Sequence, residues 1–321
     1  MRRFARLIAP EVRGRLLILI VLCLVAAMAE PRFATFSNFI NVLRQAAILG
    51  VATFGQAVVV LSGSVDISTG ALVAFAGVVG AMAAKSAGTV VGLVAGVASG
   101  ALLGFINGVA VARWRVQPVI VTVGMLTFAR GLGYLITNAQ PVLGTPPSFM
   151  VLGNHFLGPI PYPLLVAVAV LLVGQYILSH RPLGRHVYVV GSNEEAALLS
   201  GIPVERVKIF AFTFAGLCAA ISGLILASRF NSGQPTVGQF MELEAIAAVV
   251  LGGTALGGGR GSLWRTTIGI GIMSVISNGM NLAGISPYVQ QMALGALIVA
   301  TISLDIVRGG RSLAVLTLRR G

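Results

Sequence analysis

Charge is scarce in this 321-residue chain: 10% of its residues are Asp, Glu, Lys or Arg, and only 9 are acidic. Soluble domains carry about 25% charged residues, so the shortage excludes an ordinary water-soluble fold. The three histidines, His155, His180 and His186, are scattered near segment ends and form no ligand cluster. Two cysteines, Cys23 and Cys218, each sit alone in an apolar run and read as small buried hydrophobes, with no CxxC or Cys/His metal spacing. No GxxxxGK[ST] phosphate loop, HExxH helix or GxSxG elbow occurs. Catalytic residues, bound metal and bound cofactor are therefore all expected to be none. Any ATP that powers this chain is hydrolysed by a partner.

What is present is apolar. Hydrophobic residues make up 56% of the chain, mean hydropathy is +0.94, and 41 residues are glycine. That composition reads as all-α: a polytopic membrane bundle whose helices approach through small residues. Ten segments are long enough to count as spans, in several cases with help from interfacial residues: 16–29, 44–62, 68–84, 90–112, 118–137, 161–179, 209–228, 241–257, 263–282 and 289–307. The third and eighth are short and adjoin Gly breaks, which suits discontinuous helices lining a cavity. The basic start and Ala27-Met28-Ala29 imitate a signal peptide. An uncleaved first helix is the preferred reading, because everything downstream is also membrane-embedded.

A net charge of +13 would suggest nucleic acid in a soluble protein. Here its distribution speaks of orientation instead. With the N-terminus inside, 17 Lys and Arg fall on inside segments, against Arg32, Arg44, Lys85 and Arg229 outside, with Arg130 within a helix. The positive-inside rule then puts both termini in the cytoplasm. The whole chain, 1–321, reads as one transmembrane domain, with cytoplasmic segments at 1–15, 180–208 and 308–321. Leu102 to Gly108 and Ser274 to Gly279 end helices at opposite faces, each followed by a Pro-led helix at Pro118 or Pro287. That pattern points to an inverted repeat.

Candidate pathway residues are the polar ones inside apolar segments: Asp66, Asn107, Asn278 and Asn281. Asp66 is the only acid between Glu30 and Glu194. A carboxylate at the bilayer centre costs about 2.5–3.5 kcal/mol, so it is usually functional or paired. Two readings stand beside each other: an ion site, or, with Ser68 and Thr69 following, a cap for the helix beginning there. The amides suit neutral polyols, and equally suit hydrogen bonding between helices. In the 180–208 loop, Ser192 or Asn193 followed by Glu194 and Glu195 opens a short helix whose body is Ala196 to Leu199, including Ala197, and Gly201 with Pro203 ends it. Such a helix either enters another protein's groove or lies on the surface as a linker.

Four stretches carry a family resemblance. They are SGSVDISTGALVAFAGVVGA around Asp66, QPVIVTVGMLTFARGLGYLITNAQPV from Gln117, GSNEEAALLSGIPVERVK from Gly191, and the Gly-crowded stretch from Leu251 to Asp305. Together they resemble the permease subunits of bacterial sugar ATP-binding-cassette importers of the ribose/xylose/galactose type. Ser62 and Ser64 stand where that family often has Gly and another small or apolar residue. The resemblance implies a second permease subunit, two cytoplasmic ATPase subunits, a periplasmic substrate-binding protein and a place in the bacterial inner membrane. It assigns ATPase coupling to Asn193, Glu194, Glu195, Ala197 and Gly201. It implies import of a monosaccharide or similar small neutral solute by alternating access. The competing expectation is an ion-coupled secondary transporter that uses Asp66.

Overall fold

The computed structural model describes residues 10–318. Residues 1–9 of the expected cytoplasmic start, and 319–321 of the expected tail, lie outside the described residues. The principal helices are α1 Pro10–Ala29, α2 Phe36–Leu61, α3 Thr69–Ala87, α4 Thr89–Ala112, α5 Pro118–Thr137 and α6 Tyr162–His180. They continue with α7 Pro182–Ser192, α8 Glu194–Leu199, α9 Val204–Phe230, α10 Met241–Leu251, α11 Leu263–Leu282 and α12 Pro287–Leu318. Strand is confined to two-residue pairings, Val142–Leu143 with Ser232–Gly233 and Phe156–Leu157 with Ile160–Pro161.

Local chemistry sets these boundaries. Proline stands at the first or second position of α5, α6 and α7, where its missing N–H costs nothing. Thr35 and Ser262 cap α2 and α11 by accepting the N–H groups of Asn38 and Arg265, each at 3.3 Å. Asn138 and Asn231, at φ of 50° and 51°, turn left-handed to end α5 and α9.

Seven helices among the described residues are long and apolar enough to cross a membrane: α1 to α6 and α9. The third expected segment is therefore not short, since α3 runs for 19 residues. The eighth is shorter than expected. α10 has 11 residues and stops at Leu251, not 257. It spans about 16 Å, half of a bilayer core of roughly 30 Å. Gly252 caps it, packed against the backbone of Arg265 and Thr266, and Gly253 at φ 88° turns the chain out of the helix. Residues 308–318 of the expected tail continue α12 as helix.

The core lies where α2, α3, α4 and α9 meet. Gly92, Gly96, Gly100, Gly104 and Gly108 recur every fourth residue along α4 and form one ridge. At Gly104 a Cβ would strike the Phe212 carbonyl and Gly216 Cα of α9. This is small-residue packing, in which dispersion between close backbones replaces a hydrophobic drive that lipid does not supply. On α5, by contrast, Gly124 and Gly131 have open space, and Ile120, Phe128 and Leu135 are exposed. An apolar face of that kind suits hydrocarbon.

Loops gather at two ends. At one, the Gly259 N–H donates to the Leu61 carbonyl at 3.1 Å and Gly191 lies against Gly63. At the other, Arg44 donates to the Asn154 carbonyl, Thr145 to Asn231 Oδ1, and Arg32 to the Leu282 carbonyl. Three hydrogen bonds from Arg32 also hold the Glu30 carboxyl below its ordinary range.

Candidate functional site

Between α2 and α3 the chain unwinds over 62–68, and here Asp66 and Asn107 come together. Gln56, Asp66, Ser68 and Asn107 are all fully shielded, at 0% exposure. Asp66 Oδ1 accepts the Ser68 N–H at 2.7 Å and the Ser68 hydroxyl at 2.6 Å. Asn107 Nδ2 donates to Ser68 Oγ at 3.0 Å, and Thr69 Oγ1 to Gln56 Oε1 at 3.1 Å. The expected cap is thus displaced by two residues. Ser68, not Asp66, occupies the N-cap of α3, while Asp66 braces Ser68 from the preceding turn. Asp66 Oδ2, Gln56 Nε2, Asn107 Oδ1 and Ser64 Oγ find no partner among the described residues. The arrangement ties the α2–α3 break to α4.

The other two amides lie elsewhere. Asn278 and Asn38 exchange hydrogen bonds of 2.9 and 3.0 Å between α11 and α2. Polar pairs of this kind between membrane helices contribute about 0.6–2 kcal/mol. Asn281 is exposed and accepts from Gln290 at 2.9 Å. The structure thus brings Asp66 and Asn107 together at one break, uses Asn278 to tie α11 to α2, and leaves Asn281 exposed beside Gln290.

A second break, between α9 and α10, was not singled out by the sequence reading as a site. Residues 231–240 fold back so that Gly238 lies against Gly70 at the start of α3. Arg130 of α5 pins this segment, donating to the Pro235 and Val237 carbonyls at 2.9 and 2.7 Å. Phe240 then turns at φ 63°, a left-handed conformation that costs a non-glycine residue about 1–3 kcal/mol. The two glutamates that follow, Glu242 and Glu244, escaped attention because they head an apolar run. Acids inside an expected span were the available signal. Glu242 is buried and its Oε2 lacks a partner among the described residues, while Glu244 faces a cavity of about 390 Å³ between α10, α11 and α12. Gln239, Phe240, Ser277 and Gln291 face the same space.

At the loop end that holds Gly191, the Asn193 side chain accepts the Ala196 N–H at 2.9 Å and starts α8. Glu194 and Glu195 occupy its first turn, where the helix dipole favours acids. Ala197 is fully buried, whereas Leu198 and Leu199 are 56% and 84% exposed. Ser200 closes the helix, which ends at Leu199 with Gly201 just beyond at φ 76°. The sequence did not reveal α7, which braces α8 from the other side. Tyr188 of α7 donates to the Gly261 carbonyl at 3.3 Å, and burial pushes its phenol above the ordinary range. An ion pair between Lys208 and Glu194 joins α8 to α9.

The sequence profile described as "Branched-chain amino acid transport system / permease component" matches residues 38–302. The ribose import permease protein RbsC of Bacillus subtilis is 41% identical, over 91% of this chain and 92% of its own length. The probable ABC transporter permease protein YphD of Escherichia coli K12 is 40% identical over 93% and 90%. The L-arabinose transport system permease protein AraH of the same strain is 36% identical over 91% and 89%. No solved structure matches.

Proposed function

The chain belongs to the family of branched-chain amino acid transport system permease components, and on that premise we propose that it carries a monosaccharide through the inner membrane. It does so as the membrane-spanning subunit of an ATP-binding-cassette importer, driven by separate ATPase subunits. The similarity to ribose and arabinose permeases over nine-tenths of the chain is the single observation that carries this reading. Nothing in the comparisons favours an ion-coupled transporter working through Asp66.

The geometry supports further detail. The basic end, with α7, α8 and the 252–262 loop, faces the cytoplasm, and α8 presents Leu198 and Leu199 to an ATPase subunit. Asn193 and the two glutamates fix the start of that helix, Ala197 anchors it, and Gly201 lets the chain turn back into α9. A push on α8 reaches α9 through the Lys208–Glu194 pair. α2 with its break, α3, α4 and the Pro118-led α5 answer in order to α9 with its break, α10, α11 and the Pro287-led α12. We read this as an inverted repeat, with α10, α11 and α12 completing ten crossings. A second permease subunit and a periplasmic binding protein complete the assembly, and the binding protein contributes most of the selectivity.

Transport in proteoliposomes tests the reading. Uptake of radiolabelled sugars that needs the ATPase, the binding protein and ATP together supports it. Gradient-driven uptake by this chain alone overturns it.

A further inference from the structure

We propose that the cavity between α10, α11 and α12 is the station where the solute rests during passage, with Glu244 and Gln291 accepting and donating to its hydroxyls. This rests on the importer reading above and adds the place to it. The cavity measures about 390 Å³, within the roughly 300–1,000 Å³ typical of small-molecule sites. Its lining is of two kinds. Met273, Ile276 and Leu297 offer an apolar wall, and the exposed Phe240 ring offers a flat face suited to the C–H surface of a sugar. Gln239, Glu244, Ser277 and Gln291 offer both donors and acceptors, as a neutral polyhydroxylated solute requires.

The other polar candidates are either paired or fully shielded. Asn278 is paired with Asn38, and the Gln290 amide donates to Asn281 Oδ1 and the Ile285 carbonyl, each at 2.9 Å. Asp66 spends one oxygen on Ser68 and is fully shielded. Glu244 differs from them. No side chain among the described residues bonds or pairs with its carboxylate, although it heads, together with Glu242, a helix that is otherwise apolar. A carboxylate in that setting is costly unless something answers it, and vicinal hydroxyls are good donors to one.

Position agrees with chemistry. The cavity lies where the backbone is broken, at the head of a helix about half a bilayer long, and irregular backbone at membrane depth is tolerated where it lines a cavity. Arg130 fixes the break from α5, so the site is held by side chains that do not themselves face it.

The test uses the full assembly in proteoliposomes with a panel of radiolabelled monosaccharides headed by D-ribose and L-arabinose. Failure of the unaltered assembly to take up any of them would sink the importer reading itself, before a variant is made. Where uptake is present, Glu244→Gln is expected to lower it about tenfold or more, as loss of a charge-assisted hydrogen bond should, with Glu244→Asp recovering part. Gln291→Cys is then made in a Cys23→Ser background, with the shielded Cys218 left in place, and modified by a bulky methanethiosulfonate. Modification is expected to stop uptake, and excess transported sugar to slow modification. Complete modification with full uptake overturns the proposal, and would mean that lipid fills the cavity. Unchanged uptake by Glu244→Gln overturns it as well.

Discussion

Asp66 is wholly shielded, yet only one of its two oxygens is engaged, and that one carries the turn. The Ser68 N–H and hydroxyl both depend on Oδ1, and through Ser68 so does Asn107. Removing the acceptor strands buried donors, which costs about 1–3 kcal/mol, whereas a neutral isostere retains an oxygen in the same place. Asp66→Ala is therefore expected to lower the melting temperature of the purified assembly by several degrees, and Asp66→Asn to leave both melting and uptake near the unaltered level. Uptake abolished by Asp66→Asn with melting unchanged would show that the charge acts in transport. Arg130 admits a similar argument. Arg130→Ala releases the Pro235 and Val237 carbonyls, so thiol reagents are expected to reach a cysteine placed at Thr236 faster, and Arg130→Lys to fall between. Equal rates in all three would leave the segment held by other contacts.

At the scale of elements, the glycine ridge of α4 makes opposite predictions for two glycines that look alike in sequence. Gly104→Val drives side-chain atoms into the Phe212 carbonyl and Gly216 of α9, an overpacking that costs about 1–3 kcal/mol and more where backbone cannot yield. Gly131→Ala meets open space and gains about 0.5–1 kcal/mol of helix preference. Membrane-inserted yield and melting temperature should fall for the first and hold or rise for the second. α8 gives a functional counterpart. Leu199→Asp is expected to abolish co-purification with the ATPase while leaving the Asn193 cap and the Ala197 anchor intact. Loss of the folded permease itself would instead place Leu199 in the core. These elements were unequally legible. α8 announced itself through Asn193, Glu194, Glu195 and Gly201, because caps and turns are chemistry between near neighbours. α10 ends before the hydropathy pattern does, because Gly, Ala and Leu after Gly252 count as apolar while Gly253 at φ 88° turns the chain and Gly252 packs on α11 backbone. Asp66 and Asn107 drew attention correctly as buried polar groups, but their partner is Ser68, which no hydropathy pattern singles out. Glu242 and Glu244 head an apolar run that masks them, although acids inside an expected span are a signal, and the cavity Glu244 shares with α11 and α12 is visible only in three dimensions.

Across the whole molecule, the distribution of basic residues and the position of α8 form one argument, and they stand or fall together. Of 22 Lys and Arg, 17 lie on segments that the alternation of spans assigns to one side. The structure brings several of those segments to a common end: the 252–262 loop meets Leu61 and Gly191, and Lys208 meets Glu194. Residues 138–161 and 231–234, which contain no Lys or Arg, pair at the other end through Val142 and Gly233. Basic loops resist translocation, so the end with α8 should face the cytoplasm. Gln140→Cys and Leu199→Cys, each exposed and each made in a Cys23→Ser background, separate the two orientations. In intact cells a membrane-impermeant thiol reagent is expected to label the first and not the second, and permeabilisation should expose both. The reverse pattern would put α8 on the side without ATP. That would remove α8 from coupling and shift the search for an ATPase contact to residues 138–161.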